Sequence, residues 1–338
     1  MDFRSLPKVE LHLHLDCALS VDVVTRLDPS VTPARYAAEF VAPAHCRSLA
    51  EWLTCPPRSV ALMQTDAGLR AVVGDLFRQL LDDNVIYAEI RFAPLLHCTQ
   101  GLSPSAVVDI VEQATADASR RTGVAARLIL CTLRHFSYDQ SMATVGLVRQ
   151  FRGTTVVAFD IAGDEAGFSL DNHEGAFGVA HTERLHCTAH AGEAAGHTSV
   201  RETLDRLRPT RVGHGVHSIE NAALVDRLIR DRIHLEICPT CNLQTNVVPD
   251  YAEHPVDRLF RAGVSLGLNT DARAVSDITL GREYEKMSRT FGWREEDFHA
   301  CNRNALTAAF IDDNLRTTLL GRLADGYAAA GAGIRAAR

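Results

Sequence analysis

The stretch VIYAEIRFA, residues 85–93, is apolar along most of its length. Strands of a parallel sheet have this near-continuous apolar composition because helices cover both of their faces. The stretch RLILCTL, residues 127–133, has the same composition. Both stretches therefore predict central strands of a parallel sheet.

Further strand-like and helix-like stretches alternate on both sides of these two. The eight predicted strands are Val9–Leu15, Val85–Phe92, Arg127–Leu133, Thr155–Ile161, Leu185–Ala191, Arg211–His214, His234–Cys238 and Val264–Asn269. Predicted helices between them include Asp66–Leu81, Ala106–Arg121, Ser141–Phe151, Ser199–Leu207, Asn221–Arg230 and Leu280–Thr290. Eight repeats of this kind favour an α/β fold of the closed (β/α)₈ TIM-barrel type over an open sheet. The lack of a glycine-rich phosphate-binding motif after an early strand weakens the nucleotide-fold alternative.

We expect one domain over residues 1–338. Residues 29–65 form an insertion after the first strand, and prolines at positions 33, 43, 56 and 57 indicate short helices that cover the barrel mouth. Residues 294–338 are predicted as additional C-terminal helices.

Composition excludes several classes of protein. The net charge of −7 argues against nucleic acid or an anionic membrane surface as the main partner. No apolar run approaches the ~20 residues of a membrane-spanning helix. The first residues, MDFRSLP, lack the basic start and apolar core of a signal peptide, so we expect a cytoplasmic location.

The first predicted strand contains the alternating sequence VELHLHLD, residues 9–16. Side chains alternate between the two faces of a strand, so His12, His14 and Asp16 share one face. Two imidazoles in this arrangement can bind one metal ion. The alternative is an edge strand whose outward face carries histidines.

Polar residues also follow the later strands, where catalytic groups of such barrels lie. Three imidazoles and a carboxylate, from His12, His14, His190 and Asp271, form a donor set suited to zinc. Glu193 and His214 remain as acid–base groups beside the metal.

The ordered motifs PKVELHLHLD (7–16), YAEIRFAP (87–94), FDIAGDE (159–165), HAGE (190–193), RVGHG (211–215), LEICPT (235–240) and NTD (269–271) resemble the adenosine deaminase family of the metal-dependent amidohydrolase superfamily. The resemblance extends from Pro7 to about Asp271. It implies hydrolytic deamination of a 6-aminopurine nucleoside, which yields the 6-oxo product and ammonia.

The resemblance also implies a role for each site residue. One Zn²⁺ per chain would be bound by His12, His14, His190 and Asp271. Glu193 would protonate purine N1, while His214 would orient and deprotonate the attacking water, with Asp271 as its partner in proton transfer. The implied substrate-binding residues are His14, Asp16, Gly163 and Arg273. Among these, Asp16 would hydrogen-bond the ribose and the Gly163 backbone would contact N3.

Lysine is rare in this chain, which has only Lys8 and Lys286. Binuclear members of the superfamily use a carboxylated lysine near the end of the fourth strand. Neither lysine can reach that position in the predicted barrel, so we expect a single metal ion.

Two departures from the family pattern leave the substrate open. Cys17 replaces a glycine, and Ala272-Arg273 replaces the usual Asp-Pro. Ala272 cannot hydrogen-bond purine N7, so Arg273 becomes a candidate donor to N7 or to a carboxylate of a larger substrate. The other interpretation of Arg273 is a salt bridge at the surface or behind the site.

Asp16 favours a nucleoside, and adenosine is the first-choice substrate. The alternatives are aminodeoxyfutalosine and adenine. More remote alternatives are another mononuclear amidohydrolase and an inactive binding relative. The sequence CPTC, residues 238–241, is either two structural thiols or a pair of metal ligands.

Overall fold

The computed structural model describes residues 2–336, with side chains described through residue 330. Eight parallel strands follow one another in sequence order around a barrel. They are β1 (Lys8–His14), β2 (Val85–Phe92), β3 (Ala125–Leu133), β4 (Val156–Ala162), β5 (His186–Ala191), β6 (Arg211–His214), β7 (His234–Ile237) and β8 (Leu266–Leu268). All eight predicted strands and the predicted (β/α)₈ architecture are confirmed.

The barrel closes where β8 meets β1. The Asp271 amide donates to the His12 carbonyl at 3.0 Å, and the His14 amide donates to the Asp271 carbonyl at 2.8 Å. Below this point the Asn269 side chain accepts hydrogen bonds from the amides of Leu11 and His12 at 2.8 and 3.0 Å. An amide side chain thus replaces part of the backbone ladder at Asn269, where β8 ends one residue earlier than predicted.

Helices surround the barrel and connect its strands. They are α1 (Val21–Leu27), α2 (Pro33–Glu39), α3 (Leu49–Trp52), α4 (Pro56–Ala61), α5 (Asp66–Asp82), α6 (Pro104–Thr122), α7 (Tyr138–Gln150), α8 (Glu174–Thr182), α9 (His197–Arg206), α10 (Ala222–Arg230), α11 (Pro239–Gln244), α12 (Val256–Arg261), α13 (Leu280–Phe291), α14 (Glu295–Ala308) and α15 (Asp313–Ala336). None of the helices in residues 2–336 has the length and apolar composition needed to cross a membrane.

The apolar core lies between the strands and the surrounding helices. Val72, Leu76 and Phe77 on α5 are buried in the same apolar cluster as Ile90 and Phe92 on β2. Burial of each such side chain contributes roughly 1.5–3 kcal/mol to folding. Packing between the strands and the surrounding helices therefore stabilises the barrel, and the polar residues at the strand ends are not needed for this packing.

The insertion after β1 contains three short helices, α2, α3 and α4, within residues 29–65. The side chains of Ser48 and Thr32 accept hydrogen bonds at the N-termini of α3 and α2. Leu49 and Trp52 on α3 are buried and face the carboxyl ends of the strands. This segment therefore forms one wall of the cavity described below.

Candidate active site

Four side chains from three distant parts of the chain meet at the carboxyl end of the barrel. His12 and His14 lie on β1, His190 on β5, and Asp271 follows β8. One ligand atom from each of the four lies within 4.8 Å of all the others. The sequence-predicted donor set is therefore brought together by the fold.

The spacing of these atoms fits a tetrahedral metal ion. Asp271 Oδ1 lies 3.3 Å from His12 Nε2 and 3.4 Å from His14 Nε2, and the two Nε2 atoms of His14 and His190 are 3.2 Å apart. Zinc bonds of about 2.1 Å place tetrahedral ligands about 3.4 Å apart. His12 Nε2 is buried and has no hydrogen-bond partner in the structure. A bound metal ion would give this nitrogen a partner for its lone pair.

Two buried carboxylates orient the metal-facing imidazoles. Glu236 Oε2 lies 2.9 Å from His12 Nδ1, and Asp160 Oδ1 lies 3.3 Å from His190 Nδ1. The Arg91 guanidinium joins them, at 2.8 Å from Asp160 and 2.6 Å from Glu236. Since each carboxylate accepts the Nδ1 proton, both Nε2 atoms present lone pairs to the centre.

No individual role was predicted from the sequence for Arg91, Asp160 or Glu236. A signal was present, since each is a charged residue within one of the predicted strands. Such residues are almost never fully buried unless they are paired. The pairing itself joins β2, β4 and β7, and the sequence alone does not show which strands supply the partners.

Backbone geometry aims two of the site residues. His214 is the last residue of β6 and has a φ of 59°, and Asp271, which follows β8, has a φ of 63°. Both values lie in the left-handed region, which is costly for non-glycine residues. Gly213 precedes His214, and a Cβ there would lie only 2.8 Å from the His12 ring. The close approach of β6 to β1 therefore requires glycine at this position.

Glu193 follows β5 and lies against the same centre. Its Oε2 is 3.5 Å from His214 Nε2, and its Oε1 accepts a hydrogen bond from Thr245 Oγ1 at 3.2 Å. Burial raises the pKa of Glu193 well above its usual range, and the negative charges of Asp271 and Glu165 raise it further. A carboxyl group in this setting keeps its proton near neutral pH.

The loop that carries Glu193 is held by the buried carboxylate of Glu165. Glu165 Oε1 accepts from the Gly192 amide at 2.6 Å and from Ser199 Oγ, and its Oε2 accepts from the amides of Glu193 and Ala194 at 2.9 and 2.8 Å. The Ala195 amide adds a further bond at 3.1 Å. Glu165 of the GDE motif after β4 thus holds the backbone of the loop that begins in the HAGE motif at the end of β5.

A cavity of about 380 Å³ opens above these groups. Its floor contains His14, His190 and Asp271 together with Glu193 and His214, and Asp16 and Gly163 lie on its side. Burial raises the pKa of Asp16 to about 6. The mouth is mostly apolar and is lined by Leu49, Trp52, Leu53, Pro56, Pro57, Val60, Leu96 and Leu133. The polar side chains of His135 and Asp164 also line the cavity. Among the described residues, no lysine or arginine lines this cavity.

Comparison with known proteins shows the family of this chain. A sequence model of the adenosine deaminase family matches residues 7–326. The adenosine deaminase of Clostridium acetobutylicum is 32% identical over 94% of this chain and 97% of its own length. That of Mycolicibacterium gilvum is 36% identical over 92% of each chain. The chain belongs to the adenosine deaminase family.

Family membership confirms the predicted resemblance and the predicted class, a deaminase-type hydrolase. The crystal structure of Arabidopsis ADAL complexed with IMP superposes with a TM-score of 0.86 and 25% identity, covering 96% of this chain and 98% of that chain. The barrel and its connections are therefore shared over almost the whole length of both proteins.

Arg273, predicted from the sequence to bind substrate, does not line the cavity. Its side chain is buried outside the cavity, with Nη2 2.6 Å from Glu10 Oε2 and 3.1 Å from Asp83 Oδ2. This position corrects the expectation of a contact with N7 or with a substrate carboxylate. The second interpretation, a salt bridge behind the site, describes what the structure contains.

Ala272 and the two cysteines of CPTC belong to one apolar cluster next to the site. The cluster also includes Cys17 and Val275. Cys238 Sγ lies 3.5 Å from the Glu236 carbonyl, whereas Cys241 Sγ lies 3.8 Å from Glu193 Oε1. Burial raises the pKa of both thiols well above the usual range. Both cysteines are therefore neutral, and Cys241 is a neighbour of the acid.

Lys8 and Lys286 lie away from the cavity. Lys8 Nζ donates to the Asp83 carbonyl at 2.6 Å, and Lys286 Nζ donates to Tyr251 at 2.6 Å. Neither amine lines the cavity at the strand ends.

Proposed function

We propose that this protein is a zinc-dependent hydrolytic deaminase that converts a 6-aminopurine nucleoside, with adenosine as its substrate, to the 6-oxo product and ammonia. One observation carries the proposal: the buried carboxyl group of Glu193, whose pKa is raised, lies beside a compact set of three imidazoles and one carboxylate at the carboxyl end of the barrel. Deamination at C6 requires both an acid and an activated water molecule at such a centre.

We propose one zinc ion per chain, bound by His12, His14, His190 and Asp271. Zinc at this position supplies Lewis-acid activation of water, which lowers its pKa to about 7. Burial lowers the pKa values of His14 and His190, so both imidazoles are neutral and able to ligate. The spacing of the four ligand atoms supports this assignment.

Glu193 is the proposed acid. Aromatic C6 is a poor electrophile, and protonation of N1 draws electron density from the C6–N1 bond as the nucleophile attacks. The raised pKa of Glu193 keeps the required proton available. Thr245 and Cys241 donate to its Oε1, so Oε2 is directed toward the centre of the site.

Asp271 and His214 are the proposed groups that handle the nucleophile. Burial alone would raise the pKa of Asp271, but the surrounding imidazoles, His12 first, hold it well below the usual range. Asp271 Oδ2 therefore remains an acceptor for the proton released during attack, and that proton is later transferred to the departing amino group. His214 Nε2 lies 3.8 Å from this oxygen and holds the attacking oxygen in place.

The cavity supports an uncharged nucleoside as the substrate class. Asp16 lies on its side, where it accepts a hydrogen bond from a ribose hydroxyl, and the backbone of Gly163, which lines the cavity, donates to ring N3. No lysine or arginine from the described residues is present to bind a 5′-phosphate. The position of Arg273 also removes the argument for a substrate carboxylate, which had favoured aminodeoxyfutalosine.

We further propose that residues 1–338 form one catalytic domain in which residues 29–65 are the lid. The apolar side chains of α3 and α4 at the cavity mouth support this role. The proposed partner is a small purine nucleoside, and neither nucleic acid nor a membrane is part of the proposed function.

Ammonia release by the purified zinc-loaded protein tests the proposal. Adenosine, AMP, adenine and aminodeoxyfutalosine are compared at equal concentrations. We expect strong preference for adenosine. Preference for another of these four would replace the proposed substrate, and no ammonia from any of them, with one zinc bound per chain, would contradict deamination of 6-aminopurines.

A further inference from the structure

A chain of hydrogen bonds leads from α12 to the ring of His214. The Val256 amide lies 3.1 Å from His254 Nδ1, and His254 Nε2 lies 3.2 Å from Asn242 Oδ1. Asn242 Nδ2 lies 3.1 Å from His214 Nδ1. His254, Asn242 and His214 are all buried, with exposed fractions of 2%, 0% and 1%.

The first member of the chain sets the direction of every bond. A backbone amide can only donate, so His254 Nδ1 must accept. Burial lowers the pKa of His254 to about 3, so the ring is neutral and its one proton is on Nε2. His254 Nε2 therefore donates, and the atom of Asn242 that faces it must be the oxygen.

The orientation of Asn242 then determines the orientation of the last bond. With its oxygen facing His254, the amide directs its NH₂ group at His214 Nδ1, which must accept. A ring nitrogen that accepts a hydrogen bond carries no proton, so His214 is a neutral imidazole. Its one proton is then on Nε2.

We propose that Asn242 and His254 are positioning residues that hold His214 in the tautomer with the proton on Nε2. The Asp271 carboxylate faces that nitrogen, with Oδ2 at 3.8 Å, and its negative charge favours a proton on it. The cavity side of His214 is thus complementary to the same tautomer that the chain behind it selects.

This tautomer changes the role that the family resemblance assigned to His214. Neutral His214 has no free lone pair at Nε2, so it donates a hydrogen bond to the attacking oxygen and does not remove its proton. The inference about catalysis rests on the proposed deaminase function. The inference about the tautomer rests only on the hydrogen bonds.

Nitrogen-15 NMR of the zinc-loaded protein, labelled at histidine and assigned with His214→Gln, tests the tautomer directly. We expect a proton on Nε2 and an unprotonated Nδ1 for His214 in the wild type. Asn242→Asp presents only acceptor atoms to Nδ1, so Nδ1 becomes protonated. A wild-type ring that carries its proton on Nδ1, or an Asn242→Asp ring that leaves Nδ1 unprotonated, would overturn the proposal.

A second pair of variants tests His254 without placing a charge in the core. His254→Gln retains one donor and one acceptor and is expected to keep the single Nε2–H tautomer. His254→Leu frees the Asn242 amide to rotate, so a mixture of tautomers is expected. A single unchanged tautomer in His254→Leu would remove His254 from the proposal. Thermal unfolding confirms that each variant is folded.

Kinetics separate this inference from the proposed function. We expect Asn242→Asp to lower kcat for adenosine roughly 100-fold with little change in KM, while Asn246→Asp, the same change at an exposed position, leaves both unchanged. Unchanged kcat in a variant with a shifted tautomer would overturn the positioning role. A wild type that deaminates nothing would contradict the proposed function, whereas the NMR result would still decide the tautomer.

Discussion

The floor and the mouth of the cavity are built from different kinds of side chain. The floor consists of imidazoles and carboxylates that are braced from behind by buried ion pairs, among them Arg91 with Asp160 and Glu236. The mouth consists of leucine, proline and tryptophan side chains from α3, α4 and adjacent loops. The floor can polarise bonds and move protons, whereas the mouth can only exclude water and bury apolar surface. We therefore expect changes in the floor to lower kcat or metal affinity and changes in the mouth to raise KM.

The largest effect is expected at the acid on the floor. Glu193→Gln keeps the shape of the side chain but removes the transferable proton, so kcat should fall by roughly 10²–10⁴ while bound zinc remains. Steady-state ammonia release and metal analysis measure the two quantities. Glu202→Gln on α9, at an exposed position, is the matched control. A kcat within threefold of wild type, on the order of assay scatter, would remove Glu193 as the acid.

Weakening a brace behind the metal ligands should produce the next effect. Asp160→Asn removes the charge that orients His190 and pairs with Arg91. Zinc affinity should fall by about 10–100-fold, as measured by competition with a chelator. Asp139→Asn on the exposed start of α7 is the control. Unchanged zinc affinity would show that the pairing serves only folding.

Glu165→Gln tests how the charge of Glu165 affects the pKa of Glu193. The variant loses part of the acceptor capacity for four loop amides, and we expect kcat to fall about tenfold. The negative charge of Glu165 adds to burial in raising the pKa of Glu193. Without that charge, Glu193 loses its proton at lower pH. The alkaline limb of the kcat–pH profile should therefore move toward lower pH, and a shift in the opposite direction would contradict this account.

The mouth should respond differently. Leu53 lines the cavity from the end of α3, and Leu53→Ala removes about 1.5 kcal/mol of apolar contact, which is roughly tenfold in KM. kcat should change little because Leu53 touches no reacting group. Leu62→Ala, in the same segment but away from this cavity, is the control. A fall in kcat with unchanged KM would place Leu53 among the groups that act on the chemistry.

Arg273 should have the smallest kinetic effect and a large effect on folding. Arg273→Met leaves Glu10 and Asp83 buried without their partner, which costs about 3–5 kcal/mol of unfolding free energy. Kinetics of the folded fraction should match wild type, and Arg289→Met, an exposed position on α13, should be neutral in both assays. Altered substrate preference in Arg273→Met would restore the substrate-binding role that the sequence suggested.

Much of the floor could be predicted from the sequence because its signals are local. The histidines of β1 alternate within one strand, and the HAGE, RVGHG and NTD motifs each end or follow an apolar run. Strand ends meet at one edge of a parallel barrel, so the convergence of these motifs followed from the fold class.

The supporting contacts could not be predicted because they join distant parts of the chain. Arg273 pairs with Glu10 and Asp83, which lie 263 and 190 positions earlier, and its side chain does not line the cavity. Asn242 and His254 gave no periodic signal either. Their role depends on the direction of a backbone amide at Val256.

Ammonia release from adenosine by Glu193→Gln and Leu53→Ala, measured side by side with wild type at equal bound zinc, tests the division between floor and mouth most directly. We predict that the first variant loses kcat and keeps KM, and that the second keeps kcat and gains in KM. Loss of kcat in both variants, or loss in neither, would contradict the assignment of chemistry to the floor and binding to the mouth.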